Sequence, residues 1–122
     1  ADYRPEYTAD KKIKKGDMLT VNFIRNKDIL LELGKIKKDK ILVGFAAESE
    51  NLIENAKEKL QKKNLDMIVA NDVSQAGAGF NVDTNIAKII TRDGEIKQAP
   101  LMQKAELAKL ILDTIEEKIN KW

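Results

Sequence analysis

KILVGFAAESENLIENAKEKLQKKNLDMIVANDV, Lys40 to Val73, is the stretch that decides the fold. Ile41-Leu42-Val43 is a short apolar run closing at Gly44, and Met67-Ile68-Val69-Ala70 is another closing at Asn71-Asp72. Between them Leu52, Ile53, Ala56 and Leu60 fall on one stripe at helical spacing. Apolar runs flanking an amphipathic helix predict two parallel strands, buried on both faces and joined by a right-handed crossover. Ligands of such units sit beyond the carboxyl ends of the strands. Those ends are read at Gly44-Phe45-Ala46-Ala47 and Asn71-Asp72-Val73. The helix is predicted from about Glu50 to Lys63, with Ser49 as N-cap, Glu48 and Glu50 beside its positive end, and Asn64 as its stop.

Lys59 and Lys63 lie four apart, at the edge of the apolar stripe and away from Glu54 and Glu58. Two readings fit. Lysines at a helix border lay their stems on apolar surface and keep their heads in water. Alternatively, two ammonium groups aimed one way form an anion clamp.

Working outward, Met18 to Arg25 alternates Leu19, Val21 and Phe23 with Thr20 and Asn22, the pattern of a half-buried strand. Before it lie a loop, Ala1 to Asp10, and the basic run KKIKKGD, Lys11 to Asp17. Asn26 is read as the cap of a short helix from about Lys27 to Ile36, with Asp28 in its first turn. Beyond the central unit, Ser74 to Phe80 is a small-residue loop whose GAG does not directly precede a helix, so no dinucleotide fingerprint is present. Ala87 to Thr91 and Ile96 to Ala99 flank Asp93-Gly94, a hairpin signal that Pro100 is expected to end. A last helix from about Gln103 to Lys121 carries Leu107, Ala108, Ile111, Ile115 and Ile119 on one stripe, with a poor N-cap. The fold class is α/β: a Rossmann-like parallel sheet with helices, plus an antiparallel hairpin and flap extension. Only two strands read as parallel and fully buried, so an edge is expected to need missing strands or a partner chain.

The 122 residues suffice for one domain with its own core. Neither cysteine nor histidine occurs. Their absence removes disulfides, a thiol nucleophile, the usual zinc ligands and any Ser-His triad. No apolar run approaches the ~20 residues of a membrane span. A cytoplasmic setting without membrane contact is expected. Net charge is only +2, yet lysines cluster at 11–15, 35–40 and 57–63 while arginine is confined to Arg4, Arg25 and Arg92. That balance favours a small anionic ligand over sequence-specific nucleic acid.

With these parts placed, the chain resembles the C-terminal half of bacterial phosphopantothenoylcysteine synthetases, whose domain is often fused to a decarboxylase. ADYRP (Ala1 to Pro5), KIKK (Lys12 to Lys15), GDMLTVNFIRNKDIL (Gly16 to Leu30), LVGFAAESEN (Leu42 to Asn51), KKNLDMIVANDV (Lys62 to Val73) and GFNVDTN (Gly79 to Asn85) occur in that family's order. The resemblance implies a ligase of coenzyme A biosynthesis that joins 4′-phosphopantothenate to cysteine with CTP and Mg²⁺, through an acyl-cytidylate. It implies nucleotide-binding roles for Asp2, Lys12, Lys27, Asp28, Ile29, Leu30, Phe45, Lys59 and Lys63. Lys12 would be catalytic as well, in a flap at about residues 11–25 that closes like a lid. Lys27 stands where the family has proline, and Val82 where it has serine. A homodimer is implied, with Met18 to Arg25 and the Asp93-Gly94 hairpin as contact surfaces. The chain starts at Ala1, and the resemblance implies that residues 1–122 are the C-terminal part of a single three-layer synthetase domain, inactive without its N-terminal half. The competing function is a non-catalytic α/β module binding a nucleotide or another anion in the same cleft.

Overall fold

The two strands that flank the helix of the Lys40–Val73 stretch are parallel, as their apolar runs predict. In the computed structural model, which describes residues 1–78 and 81–122, β1 (Tyr3–Pro5), β2 (Phe23–Arg25), α1 (Ile29–Ile36), β3 (Val43–Glu48), α2 (Leu52–Lys62), β4 (Met67–Asp72), β5 (Thr84–Thr91), β6 (Ile96–Gln103) and α3 (Lys104–Lys118) follow in order. β3 pairs β4 from Val43↔Met67 to Glu48↔Asp72, and the sheet continues antiparallel through β5 to β6. The fold is therefore α/β with a mixed sheet in the order β3-β4-β5-β6.

Two cores lie on the two sheet faces. On one, Leu52, Ile53, Ala56 and Leu60 of α2, with Leu30 of α1, pack on Ala46, Ile68, Ala70 and Ile90. On the other, Leu107, Leu110, Ile111 and Ile115 of α3 cover Met67, Val69, Ala87, Ile89 and Ala99. β4 is buried on both faces from Met67 to Ala70, which is why its sequence is continuously apolar rather than alternating; β3, expected to be buried on both faces as well, is an edge strand whose Phe45 and Ala47 stay exposed. Among the described residues no helix is long and apolar enough to cross a membrane.

Several boundaries differ from the sequence reading, each for a local reason. Gly44 is not a strand end: β3 runs from Val43 to Glu48 and contains Gly44 to Ala47. A Cβ on Gly44 would lie 2.6 Å from Leu65 Cδ1 and 3.0 Å from Leu30 Cδ2, so the glycine is a notch for packing. With the strand extended to Glu48, Ser49 cannot cap α2. Asn51 does so in a left-handed conformation, without a side-chain bond. Asn64, at φ 53°, ends the helix as expected. α1 starts at Ile29 and is capped by Asp28, whose Oδ1 accepts from Leu31 N–H at 3.0 Å. Asn26 instead joins the amino-terminal arm, accepting from Arg4 Nη1 at 2.7 Å and donating to the Ala1 carbonyl at 2.8 Å. Pro100 does not stop β6, which continues to Gln103. β6 is an edge strand, where a missing N–H is tolerated, and the register shifts between Asn85 and Ala87. α3 ends at Lys118, and its weak cap is offset by Glu106, which accepts from Gln103 N–H at 2.9 Å.

The arm is the largest departure. Tyr3–Pro5, read as loop, pairs antiparallel with Phe23–Arg25, and only those three residues of the predicted Met18–Arg25 strand are extended in a ladder. Met18, Leu19 and Val21 find no sheet to lie on and stay exposed.

At the amino end of the sheet, buried Asp66 accepts from Lys37 Nζ at 2.6 Å, Leu42 N–H at 2.8 Å and Arg92 Nη1 at 2.7 Å. Burial pushes its carboxyl up, but Lys37, the Leu42 N–H and Arg92 outweigh that and hold it below the usual carboxylate value. Asp93 is held at about 2 by Lys118 and then by the Thr91 hydroxyl. Lys118, at the end of α3, bonds Asp93 at 2.7 Å and Glu95 at 2.5 Å, fixing the β5–β6 turn to the helix.

Two outcomes follow for stability. Asp66→Asn keeps the shape but leaves Lys37 without its counter-ion, and should cost about 3 kcal/mol in urea unfolding at neutral pH. Both carboxyls are depressed in the folded chain. Their contribution is therefore full above about pH 4 and is lost as the pH falls through the folded value, near 2 for Asp93. The unfolding midpoint should drop between pH 4 and 2, less steeply in Asp66→Asn.

Candidate functional site

A polar cleft lies where α1 begins, α2 ends and β3 runs out. It encloses about 330 Å³ and is lined by Asp2, Arg25, Asp28, Glu48, Asn55, Glu58, Lys59, Lys62 and Lys63. Three elements converge there for reasons visible in their residues. On α2, Asn55, Lys59, Lys62 and Lys63 stand at i, i+4, i+7 and i+8, one face of the helix. On β3, Gly44, Ala46 and Glu48 alternate inward toward α2, so the strand's last inward position delivers a carboxylate. The cap of α1 delivers Asp28.

Gly34 makes the α1–α2 approach possible. A Cβ there would sit 1.9 Å from the Lys63 carbonyl oxygen. Asn64 Nδ2 donates to the Gly34 carbonyl at 2.8 Å and closes the junction. Asp28 and Lys63 consequently meet at 3.0 Å. The Leu31 N–H and then Lys63 hold the Asp28 carboxyl below its ordinary value. Lys59 Nζ donates to Glu48 Oε1 at 2.5 Å, and Asn55 Nδ2 to Glu48 Oε2 at 3.2 Å.

Four of the sequence-predicted residues, Asp2, Asp28, Lys59 and Lys63, are thus brought together. Ile29 and Leu30 form the first turn of α1 directly behind Asp28, with Lys27 exposed before it. The Leu30 side chain belongs to the core, so only its backbone faces the helix start. Lys27, Ile29 and Leu30 do not line the cleft, and neither do Lys12 and Phe45. Lys12 is exposed in the arm and does not line the cleft. Phe45 projects to the opposite sheet face, where it is 60% exposed beside Asn85, Lys104, Leu107 and Leu112. Phe45 and the lysine pair do not form one wall, because Phe45 is out of phase with Glu48 along β3.

The second expected ligand edge, Asn71-Asp72-Val73, is used locally. Asp72 accepts from the Ser74 hydroxyl at 2.5 Å, Ser74 N–H at 3.1 Å and Gln75 Nε2 at 2.6 Å, which lower its pKa and close a turn. Gly79 and Phe80, part of the GFNVDTN stretch, lie outside the described residues. The residues missed from the sequence are Arg25, Glu48, Asn55, Glu58 and Lys62. Asn55 and Lys62 were readable from the helical spacing. Glu48 was readable only once the strand reached it.

Four cations and four carboxylates line the cleft. Among the described residues no group of three or more metal-ligating side chains comes together. Asp28 and Glu48 are engaged by lysines, leaving Asp2 and Glu58 without an ion pair among the described residues. One or two free carboxylates fit a Mg²⁺ held mainly by phosphate oxygens, not a protein cage.

Comparison with known proteins gives a consistent picture. The family described as "DNA/pantothenate metabolism flavoprotein C-terminal domain" matches residues 1–119. The coenzyme A biosynthesis bifunctional protein CoaBC of Bacillus subtilis is 48% identical over 116 residues, covering 94% of this chain and 29% of that protein. A cysteine/cysteine sulfinic acid decarboxylase from an unknown prokaryotic organism is 45% identical over 117 residues, covering 94% of this chain and 33% of that protein. The crystal structure of the C-terminal domain of a coenzyme A biosynthesis bifunctional protein CoaBC superposes with a TM-score of 0.77 at 37% identity, covering 99% of this chain and 51% of that one. The chain thus spans about a third or less of these curated relatives, whose names describe whole proteins.

Gly34→Ala tests the junction that builds the cleft. An exposed helix interior gains about 1 kcal/mol from this change. Here the added methyl meets a backbone carbonyl, so chemical denaturation should show a loss of about 1–3 kcal/mol instead.

Proposed function

Because the chain belongs to the DNA/pantothenate metabolism flavoprotein C-terminal domain family, we propose that it is the nucleotide-binding part of a phosphopantothenate–cysteine ligase of coenzyme A biosynthesis. The observation that carries this reading is the convergence of Lys59, Lys63, Asp28 and Asp2 on one polar cleft beside the start of α1. A triphosphate needs positive charge and backbone donors held in place. The first N–H groups of α1, at Ile29 and Leu30, have no acceptor within the helix and carry its positive dipole end.

In the proposed reaction the carboxylate of 4′-phosphopantothenate attacks the α-phosphorus of CTP. Pyrophosphate leaves and an acyl-cytidylate forms. The cysteine amine then attacks the acyl carbon, CMP leaves and the amine proton is released. This sequence asks the protein for positioning and charge neutralisation and for no side-chain nucleophile, which suits a chain without cysteine or histidine. Lys59 and Lys63 serve the phosphates, and Asp2 and Glu58 are the carboxylates available to a nucleotide-borne Mg²⁺. The metal itself supplies further charge neutralisation.

Lys12 lies in the arm, and its proposed role in converting the acyl-cytidylate requires the flap to close over a cleft, its own or a second subunit's. Tyr7, Met18 and Leu19 expose large apolar surface on that arm, which supports a homodimer contact. An N-terminal half of the domain, a fused decarboxylase and a cytoplasmic setting belong to the same proposal. A non-catalytic anion-binding module would use the same cleft. It is distinguished by tight nucleotide binding with no turnover once the N-terminal half is supplied.

Calorimetric titration of CTP with magnesium should show weak binding to this chain. Lys59→Gln and Lys63→Gln should each weaken it about tenfold or more, the scale of one charge-assisted hydrogen bond. Absence of CTP binding even with the N-terminal half added would overturn the reading. With that half present, Lys12→Gln should slow the cysteine-dependent step, and an unchanged rate would remove Lys12 from catalysis.

A further inference from the structure

We propose that Glu48 is a positioning residue of the cleft, holding the Lys59 ammonium at the mouth where a phosphate oxygen of the nucleotide would meet it. The inference rests on the nucleotide reading above. Glu48 is the last residue of β3, and its side chain is only 9% exposed, whereas that of its partner Lys59 is 42% exposed. The pair is therefore asymmetric, with the carboxylate sunk and the ammonium near the surface. Each Glu48 oxygen is engaged, one by Lys59 at 2.5 Å and the other by Asn55 at 3.2 Å. The strand end beneath is fixed by Val73 N–H, which donates to the Glu48 carbonyl at 3.0 Å.

A buried carboxylate does not release its counter-ion without leaving an uncompensated charge. Lys59 has three hydrogens to donate. It gives one inward to Glu48 and keeps the others for oxygens arriving from solvent. The neighbouring lysine differs. Lys63 faces Asp28, whose side chain is 31% exposed and also receives Leu31 N–H, so Lys63 can exchange its partner for a phosphate at lower cost. The cleft thus combines one fixed cation and one exchangeable cation. Glu48 acts through Lys59 and touches no reacting atom.

The test uses this chain. Glu48→Gln keeps the shape and removes the charge. It should raise the Kd for CTP with magnesium about tenfold, the scale of one charge-assisted contact. The double variant Glu48→Gln with Lys59→Gln should bind no more weakly than Lys59→Gln alone. Without nucleotide, amine-directed acetylation followed by mass spectrometry should label Lys59 several times faster in Glu48→Gln. Glu48→Asp, which retains the charge, should recover most of the affinity, and it serves as the reporter if Glu48→Gln fails to fold. Wild-type affinity in Glu48→Gln, losses that add to those of Lys59→Gln, or unchanged labelling would each overturn the proposal. If the wild-type chain binds no CTP even with the N-terminal half added, the nucleotide reading fails, and the labelling rate still decides whether Glu48 holds Lys59.

Discussion

The structure depends on the register between β3 and β4, and that register is clamped by Asp66. Its backbone N–H donates to the Leu42 carbonyl while its carboxylate accepts from Leu42 N–H, a reciprocal pair one residue ahead of Val43↔Met67. Lys37 and Arg92 close over the same carboxylate and tie in the α1–β3 connection and the β5–β6 turn. A slip of one residue would send every β3 side chain to the other face. Glu48 would leave α2, Ala47 or Ser49 would take its place, and Lys59 would lose its partner. A buried ion pair at one end of the sheet therefore decides which side chains meet at the other.

The cleft itself is assembled from groups with structural work of their own. Asp28 caps α1 and pairs with Lys63. Asn64 ends α2 and bonds the Gly34 carbonyl. Glu48 closes β3 and anchors Lys59. Charge placement is thus coupled to backbone geometry at each point. Lys59 and Lys63 are each held by a carboxylate partner.

Much of this was legible in the sequence, and what was not had physical causes. The parallel pair, the α2 stripe, the Asn64 stop and the Asp93-Gly94 turn all rest on local patterns, and all are present. Gly44 misled because a glycine at a close approach reads like one at a turn. Pro100 misled because edge position is a property of the sheet, not of the strand. The short arm ladder was invisible in alternation alone, since Met18 to Val21 has the pattern but no surface to bury against. The Lys59/Lys63 pair was legible from helical spacing. Its carboxylate partners were not, because Glu48 and Asp28 reach it only through strand register and the Gly34 contact.

In the proposed function a nucleotide occupies the cleft between α1, α2 and the end of β3. Amide chemical-shift mapping during titration with CTP and magnesium tests it most directly. Shifts are expected at Asp2, Asp28, Ile29, Asn55, Lys59 and Lys63, with α3 unaffected. Shifts confined to Leu107, Ile111 and Leu112, on the opposite face of the sheet, would contradict it.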